Sequence, residues 1–317
     1  MIDRLGDCVR VLVMIILIFI GFDLQSKTIL VVDSYTESYQ WSHDYRQALK
    51  ESLDKSYHWV FFEMNTKVLP SHEHPAMAKK AFDYYLKIKP DLVVLGDDNA
   101  LTYLVPLLYE ESIDIVFLGI NDNPRNIKEL NQGLARITGV LERPLYIKNI
   151  ASIGRFFINP KILVLFDDSY TSQITLNYLY SNKFFVKEKL NIEVEYLSVI
   201  SQQEWQKSIL NAHKNGFDAI IVGLYQSLID ASEENVSDEE IIQWTAKNSP
   251  VPIFAFWDFS VGENKAMGGI VLSGKNQGEI AASLIKQIVE QGKNPRMIPF
   301  ELDRKGTTLF IDGQFKK

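Results

Sequence analysis

From Lys27 onward the chain alternates short, nearly continuous apolar runs with longer segments whose apolar residues recur every three or four positions. Runs of the first kind suit strands buried on both faces, and segments of the second kind suit amphipathic helices. Their alternation predicts βαβ units built around parallel sheets. The pattern predicts strands near 28–33, 59–64, 91–96, 114–119 and 136–141, with helices near 42–55, 74–89 and 99–112. The rhythm then repeats with strands near 161–166, 192–199, 218–223, 251–256 and 268–272, and helices near 171–188, 202–215 and 236–248. A last helix is predicted near 276–291, ending at Gly292.

Two echoes reinforce the repetition. The tetrapeptide Asp-Ser-Tyr-Thr occurs at Asp33 to Thr36 and again at Asp168 to Thr171, each time after an apolar run. Asp91-Leu-Val-Val-Leu-Gly96 is mirrored by Asp218-Ala-Ile-Ile-Val-Gly223 at a similar displacement. Two copies of one architecture would give such echoes, so the chain is expected to form two similar lobes. No Gly/Ser-rich or Pro-rich linker divides them; Val140-Leu-Glu-Arg-Pro-Leu145 passes from a strand into a helical segment, which predicts a close hinge. Right-handed crossovers place all strand C-termini of one lobe on one side. Two such lobes facing each other make a cleft, and ligands of open α/β sheets bind at those strand ends.

Composition narrows the reading. At 317 residues, with 46% hydrophobic and 12% aromatic content, the chain can bury two ordinary cores. A net charge of −7, with no Lys/Arg cluster, excludes a nucleic-acid surface. The single cysteine, Cys8, excludes an internal disulfide. Arg4 and Arg10 precede an apolar run from Val11 to Phe22, the layout of a signal peptide. Asp3 and Asp7 dilute its basic region and Leu24 interrupts a small-residue cleavage site, so residues 1–26 read as a signal peptide or an uncleaved N-terminal anchor. The acidic stretch from Asp230 to Glu240 reads as a solvated loop and helix start.

Candidate chemistry collects where strands end. The exits offer Asp33, Ser34 and Tyr35; Asp97, Asp98 and Asn99; Asn121; Asp168, Ser169 and Thr171; Tyr225; and Trp257 with Asp258, while Trp41 follows soon after the first strand. Carboxylates, hydroxyls, amides and rings in one place suit a small polar organic ligand. Any one of the Asp, Ser or Asn residues alone reads equally as a helix cap, but caps do not need aromatic neighbours. Aromatic groups from both lobes, chiefly Tyr35 and Trp41 on one side and Trp257 on the other, are expected to sandwich the ligand. The density of carboxylates disfavours a multiply charged anion and favours an ammonium group or several hydroxyls. Enzyme signatures are wanting: there is no Gly-x-Ser-x-Gly elbow and no Gly-x-Gly-x-x-Gly fingerprint. The near-miss phosphate loop ending Gly274-Lys275-Asn276 lacks its Ser or Thr, and His72-Glu73-His74 lacks helical zinc-ligand spacing. No catalytic residue, metal or cofactor is expected.

The stretch Val31-Val-Asp-Ser-Tyr35 to Tyr39-Gln-Trp41-Ser-His-Asp44, with Lys89-Pro-Asp-Leu-Val-Val-Leu-Gly-Asp-Asp-Asn-Ala100, Phe117-Leu-Gly-Ile-Asn121 and Thr138-Gly-Val-Leu-Glu142, resembles the ABC transporter substrate-binding protein family. The resemblance covers essentially the whole chain after the leader and implies the type I periplasmic-binding-protein fold, two Rossmann-like lobes with parallel sheets joined by a three-segment hinge. It implies crossings near 139–143, 272–277 and 299–303, giving an N-lobe of residues 27–138 plus 276–299 and a C-lobe of 139–275 plus 300–317. It also implies a monomer in the periplasm that closes on a small-molecule ligand and delivers it to an ABC permease in the inner membrane. Similar modules serve as input domains of sensor kinases, so a periplasmic protein presenting its loaded form to a separate sensor is the alternative. No output domain follows the last predicted strand and no lipobox accompanies the leader, which favours a free-standing protein of a Gram-negative periplasm. Some relatives bind aromatic amino acids and others are labelled sugar binders, so the ligand does not transfer.

Overall fold

The computed structural model describes residues 26–53, 56–130, 132–142, 145–304 and 306–311. The leader expected over residues 1–26 lies outside them, apart from Ser26. Six parallel strands form the first sheet: β1 (Lys27–Asp33), β2 (Tyr57–Glu63), β3 (Leu92–Gly96), β4 (Asp114–Ile120), β5 (Arg136–Leu141) and β11 (Glu301–Leu302), in the order β11-β5-β4-β3-β1-β2. A second parallel sheet, ordered β7-β6-β8-β9, comprises β6 (Lys161–Asp167), β7 (Glu193–Val199), β8 (Ala219–Val222) and β9 (Ile253–Ala255). An antiparallel pair, β10 (Gly268–Val271) with β12 (Thr307–Phe310), adjoins β9.

The helices are α1 (Gln40–Ser52), α2 (His74–Ile88), α3 (Asp97–Leu108), α4 (Tyr146–Gly154), α5 (Tyr170–Leu190), α6 (Gln202–Leu210), α7 (Asp238–Asn248) and α8 (Gly274–Val289). They cover both faces of each sheet. In the first lobe α1 and α8 pack on one face and α2 and α3 on the other; in the second, α4 and α5 oppose α6 and α7. This is why β3 and β6 read as unbroken apolar runs, since neither face of either strand meets water. One apolar cluster is shared by the lobes, running from Trp41 and Tyr45 through Tyr146 and Trp257 to Phe166.

The first and third lobe boundaries fall slightly later than the sequence suggested, and the second slightly earlier, at the start of α8. Residues 139–141, expected in the C-lobe, complete β5 of the first sheet. Val140 and Leu141 pair there with Glu301 and Leu302, which were also expected in the C-lobe. The chain leaves the first sheet after Leu141, returns through Ser273 into α8, and leaves again after Leu302 to reach β12. At the second crossing α8 lies against α1 at very short range. A Cβ on Gly274 would stand 2.5 Å from the Trp41 carbonyl oxygen, and one on Gly278 would stand 2.6 Å from that of Tyr45. Only hydrogen at these two positions lets the helices meet.

The C-terminal end of β1 is held by a buried ion pair. Asp33, wholly buried, accepts hydrogen bonds from the Tyr45 hydroxyl and from Arg46 Nε at 2.9 Å. Arg46 reaches on to Glu63 of β2 at 2.8 Å and to Glu37 at 3.1 Å, and its plane covers the Phe61 ring. Burial pushes the Asp33 carboxyl up to about 6 against the pull of Arg46, so it is ionised at neutral pH. Replacing Arg46 with Met leaves that charge without a cation. The expected cost in urea unfolding at pH 7.5 is about 3–5 kcal/mol, shrinking toward pH 5 as Asp33 takes up a proton. A loss below about 1 kcal/mol at pH 7.5 would show the pair to be dispensable.

Candidate ligand cleft between the lobes

The strand ends of both sheets meet around one narrow, partly open cavity. The N-lobe supplies Tyr35, Tyr39, Trp41, Lys67, Asp97 and Asn121; Glu142 stands at the first crossing; the C-lobe supplies Thr171, Leu224, Trp257 and Phe259. The rings form a chain across the lobe boundary: Tyr35 meets Tyr39 edge-on at 5.3 Å, Tyr39 meets Phe259 at 5.9 Å, and Phe259 stacks on Trp257 at 6.2 Å. Lys67 projects its ammonium over Tyr35 at 4.8 Å and over Tyr39 at 5.8 Å.

Asp97 is the most unusual residue of the wall. It opens α3 directly after the buried strand β3, with φ +68, a conformation few residues other than glycine adopt. Its Oδ1 accepts from Trp41 Nε1 at 3.0 Å, while its Oδ2 is buried without a partner among the described residues. Gly119, also at positive φ (+69), makes room for it, because a Cβ there would lie 2.8 Å from Oδ1. Burial first, then the carboxylates of Glu142 and Asp98, hold the Asp97 carboxyl well above the usual carboxylate range, with Lys67 opposing them. Burial and the same acidic neighbourhood raise the Tyr35 hydroxyl, which faces Thr171 from the other lobe.

Glu142 ties the wall together. Its Oε1 accepts from the Trp257 indole and its Oε2 from Asn121 Nδ2 at 2.9 Å, so one carboxylate connects the crossing to both lobes.

Six of the sequence-predicted residues therefore line this cavity: Tyr35, Trp41, Asp97, Asn121, Thr171 and Trp257. Asn99, Asp168 and Ser169 line a recess beside it, continuous through Tyr35, Lys67 and Thr171. The other five do not face it. Asp33 is held by Arg46, and Ser34 bridges the Gly96 carbonyl and the Ala100 amide at 2.7 and 2.8 Å. Asp98 fixes the β4 exit by accepting from the amides of Asn121 and Asp122 at 3.0 and 2.9 Å, which offsets part of the rise that burial imposes on it. Tyr225 packs on Trp205 in the C-lobe core with its hydroxyl on Ser260. Asp258 is not part of the lining, and its carboxyl feels the charge of Asp44 of α1.

The Asp-Ser-Tyr-Thr echo is displaced by one residue in space. The counterpart of Asp33 at the strand end is Asp167, not Asp168. Asp167 is fully buried and accepts from Ser169 and Ser172 hydroxyls and the Ser227 amide. Burial alone would raise its carboxyl; the nearby Lys67 charge and the serine hydrogen bonds overcome this and hold it below the usual range. Tyr35 accordingly enters the cavity while Tyr170 stands 53% exposed.

Lys67, Glu142, Tyr39, Leu224 and Phe259 were not among the candidates. Lys67 follows β2, a strand end that the sequence reading passed over, and Phe259 lies two residues beyond Trp257. Tyr39 and Glu142 stood within the segments that carry the family resemblance. Among the described residues no cluster of His, Cys, Asp and Glu is arranged to hold a metal ion, and no helix is long and apolar enough to cross a membrane.

No protein-family model matches the chain, and no curated protein sequence matches it. Solved structures do. A domain from Vibrio cholerae O1 biovar El Tor, described as a conserved domain protein, superposes with a TM-score of 0.65 at 16% identity, covering 90% of this chain and 92% of that one. An ABC domain from Streptococcus pneumoniae in complex with L-Trp gives a TM-score of 0.64 at 16% identity over 89% and 91% of the two chains. An ABC transporter solute-binding protein from Bacillus halodurans with bound myo-inositol gives 0.59 at 12% identity over 89% and 94%. The chain has the type I periplasmic-binding-protein fold.

Asp258 yields a test independent of any ligand. Its Oδ1 is buried without a partner among the described residues, and burial together with Asp44 lifts the carboxyl to about 7. The folded chain thus holds this proton to about pH 7, whereas the unfolded chain releases it near 3.8. The group favours folding in acid and loses that contribution as pH rises through about 7. Asp258→Asn is expected to melt above the parent protein at pH 8, with the gap narrowing steadily as pH falls from about 7 toward 3.8; parallel melting curves across that range would remove Asp258 as the cause.

Proposed function

We propose that this chain is an extracytoplasmic solute-binding protein whose lobes close on a small polar organic ligand, amino-acid-like or sugar-like, and deliver it to an ABC permease. The observation that carries the reading is the cavity itself: rings and polar groups from both lobes converge on one space, and bridging it is what a ligand would do to favour the closed arrangement. The fold's occupants elsewhere support this class of ligand, since L-Trp is named with one structural neighbour and myo-inositol with another. No step of bond-making is needed for such a role, so the protein acts as a monomeric carrier in the periplasm, exported by the signal-peptide-like leader or held by it as an anchor.

A thermal-shift screen of amino acids, sugars, nucleosides and polyamines is expected to raise the melting temperature with one class, because a ligand that binds only the folded chain stabilises it by about 2.7 kcal/mol at 100 times its Kd. Small-angle scattering with that ligand should then show compaction, and the loaded protein should stimulate ATP hydrolysis by its permease in liposomes. An unchanged scattering profile at saturating ligand rules out a closing clamp; conversion of the ligand to product rules out a carrier.

A further inference from the structure

The polar groups of the cleft are nearly all engaged by one another. Both tryptophan N–H groups donate to carboxylates, Trp41 to Asp97 and Trp257 to Glu142, and Asn121 donates to Glu142. Two ionisable groups stand out. Asp97 Oδ2 is buried with no donor, and Lys67 makes no hydrogen bond or ion pair among the described residues, resting only on the faces of Tyr35 and Tyr39. The rest of the wall is largely ring and aliphatic surface: Tyr39, Trp257, Phe259 and Leu224. A polyol would need several acceptors and donors alternating around it, and buried hydroxyls left unpaired here would each carry a desolvation cost.

We propose that the cleft selects a compact zwitterion of the amino-acid class, whose protonated amine donates to Asp97 Oδ2 and whose anionic end pairs with Lys67. This rests on the solute-binding reading and decides between its two ligand classes. The unmatched oxygen of Asp97 takes a hydrogen-bond donor, which excludes a quaternary ammonium, and the close ring wall of Tyr35, Tyr39, Trp257 and Phe259 limits the body between the two ends to a compact one.

A proton accompanies capture. In the ligand-free cleft an ionised Asp97 would be a buried charge with half its hydrogen bonding unmet, beside Glu142 and Asp98 and close to Asp33, with only Lys67 opposing them, so it holds its proton. Arrival of the ammonium group supplies the missing donor and counter-charge; Asp97 ionises, and the proton passes to solvent. Affinity therefore rises with pH until the ligand amine itself loses its proton.

Calorimetric titration with L-alanine, L-valine and L-phenylalanine, with phenethylamine and 3-phenylpropionate as the separate halves, and with myo-inositol as the polyol tests this. A zwitterion is expected to bind at least about tenfold more tightly than either half. Titration in phosphate and in Tris near pH 7 should reveal proton release, through the different ionisation heats of the buffers. Asp97→Asn, which suits the left-handed backbone, should lower affinity about 100-fold and abolish the release. Lys67→Met should reduce the zwitterion to the affinity of its amine half. Tight myo-inositol binding with no response to any amine, or wild-type affinity in Asp97→Asn, overturns the zwitterion while leaving a carrier in place. No binder in any class of the wider screen overturns both.

Discussion

The structure depends on finding donors for carboxylates buried where strands end. Parallel strands bring their C-termini together, and in this chain those termini carry acids: Asp33, Asp97 and Asp98, and Asp167. Each would oppose folding if left bare in so dry a place. Asp33 recruits Arg46 and Tyr45, Asp98 the amides of the next strand exit, and Asp167 three serines. Those same contacts fix the loops, orient the helices that follow, and so set the outline of the cleft. Asp97, within the cleft wall, has one oxygen satisfied and one not, and this is where framework gives way to recognition.

Closure and rigidity are divided between the crossings. At the second, α8 is pressed on α1 through Gly274 and Gly278, so this part of the hinge moves with the N-lobe as one block. At the first, Glu142 holds Trp257 of the C-lobe and Asn121 of the N-lobe in the same carboxylate, so lobe separation and the shape of the cavity are mechanically linked. Near the second crossing the charge of Asp44 on α1 acts against that of Asp258 in the C-lobe, opposing their association above neutral pH.

Strands and lobes were legible in the sequence because each central strand is buried on both faces and must be apolar throughout, a signal that needs no knowledge of its neighbours. The first and third lobe boundaries lie later than the apolar pattern suggests because Val140 and Leu141 look the same whether the chain is leaving a sheet or still in it; only their pairing with Glu301 and Leu302 tells. The strand exits were legible as a neighbourhood, but not the fate of each acid. Nothing local distinguishes Asp33, satisfied by Tyr45 and Arg46 of the following helix, from Asp97, one of whose oxygens is not satisfied. The repeated Asp-Ser-Tyr-Thr pointed to the duplicated lobes and also misaligned them, since the extra acid at Asp167 moves the second copy by one position and turns Tyr170 outward. Lys67 and Glu142 reach the site from a loop and a crossing, through tertiary placement that composition and spacing do not encode.

Of the chain's five tryptophans, the two in the cleft wall each donate their indole N–H to an acidic side chain, one in either lobe. An indole excited state shifts charge away from its ring nitrogen, so its emission colour responds to whether the neighbouring carboxyl is neutral or ionised. The molecule thus carries an optical gauge of its own occupancy. Trp41 registers the charge state of Asp97, Trp257 registers the grip of Glu142, and a label-free fluorescence trace can follow the binding cycle in real time.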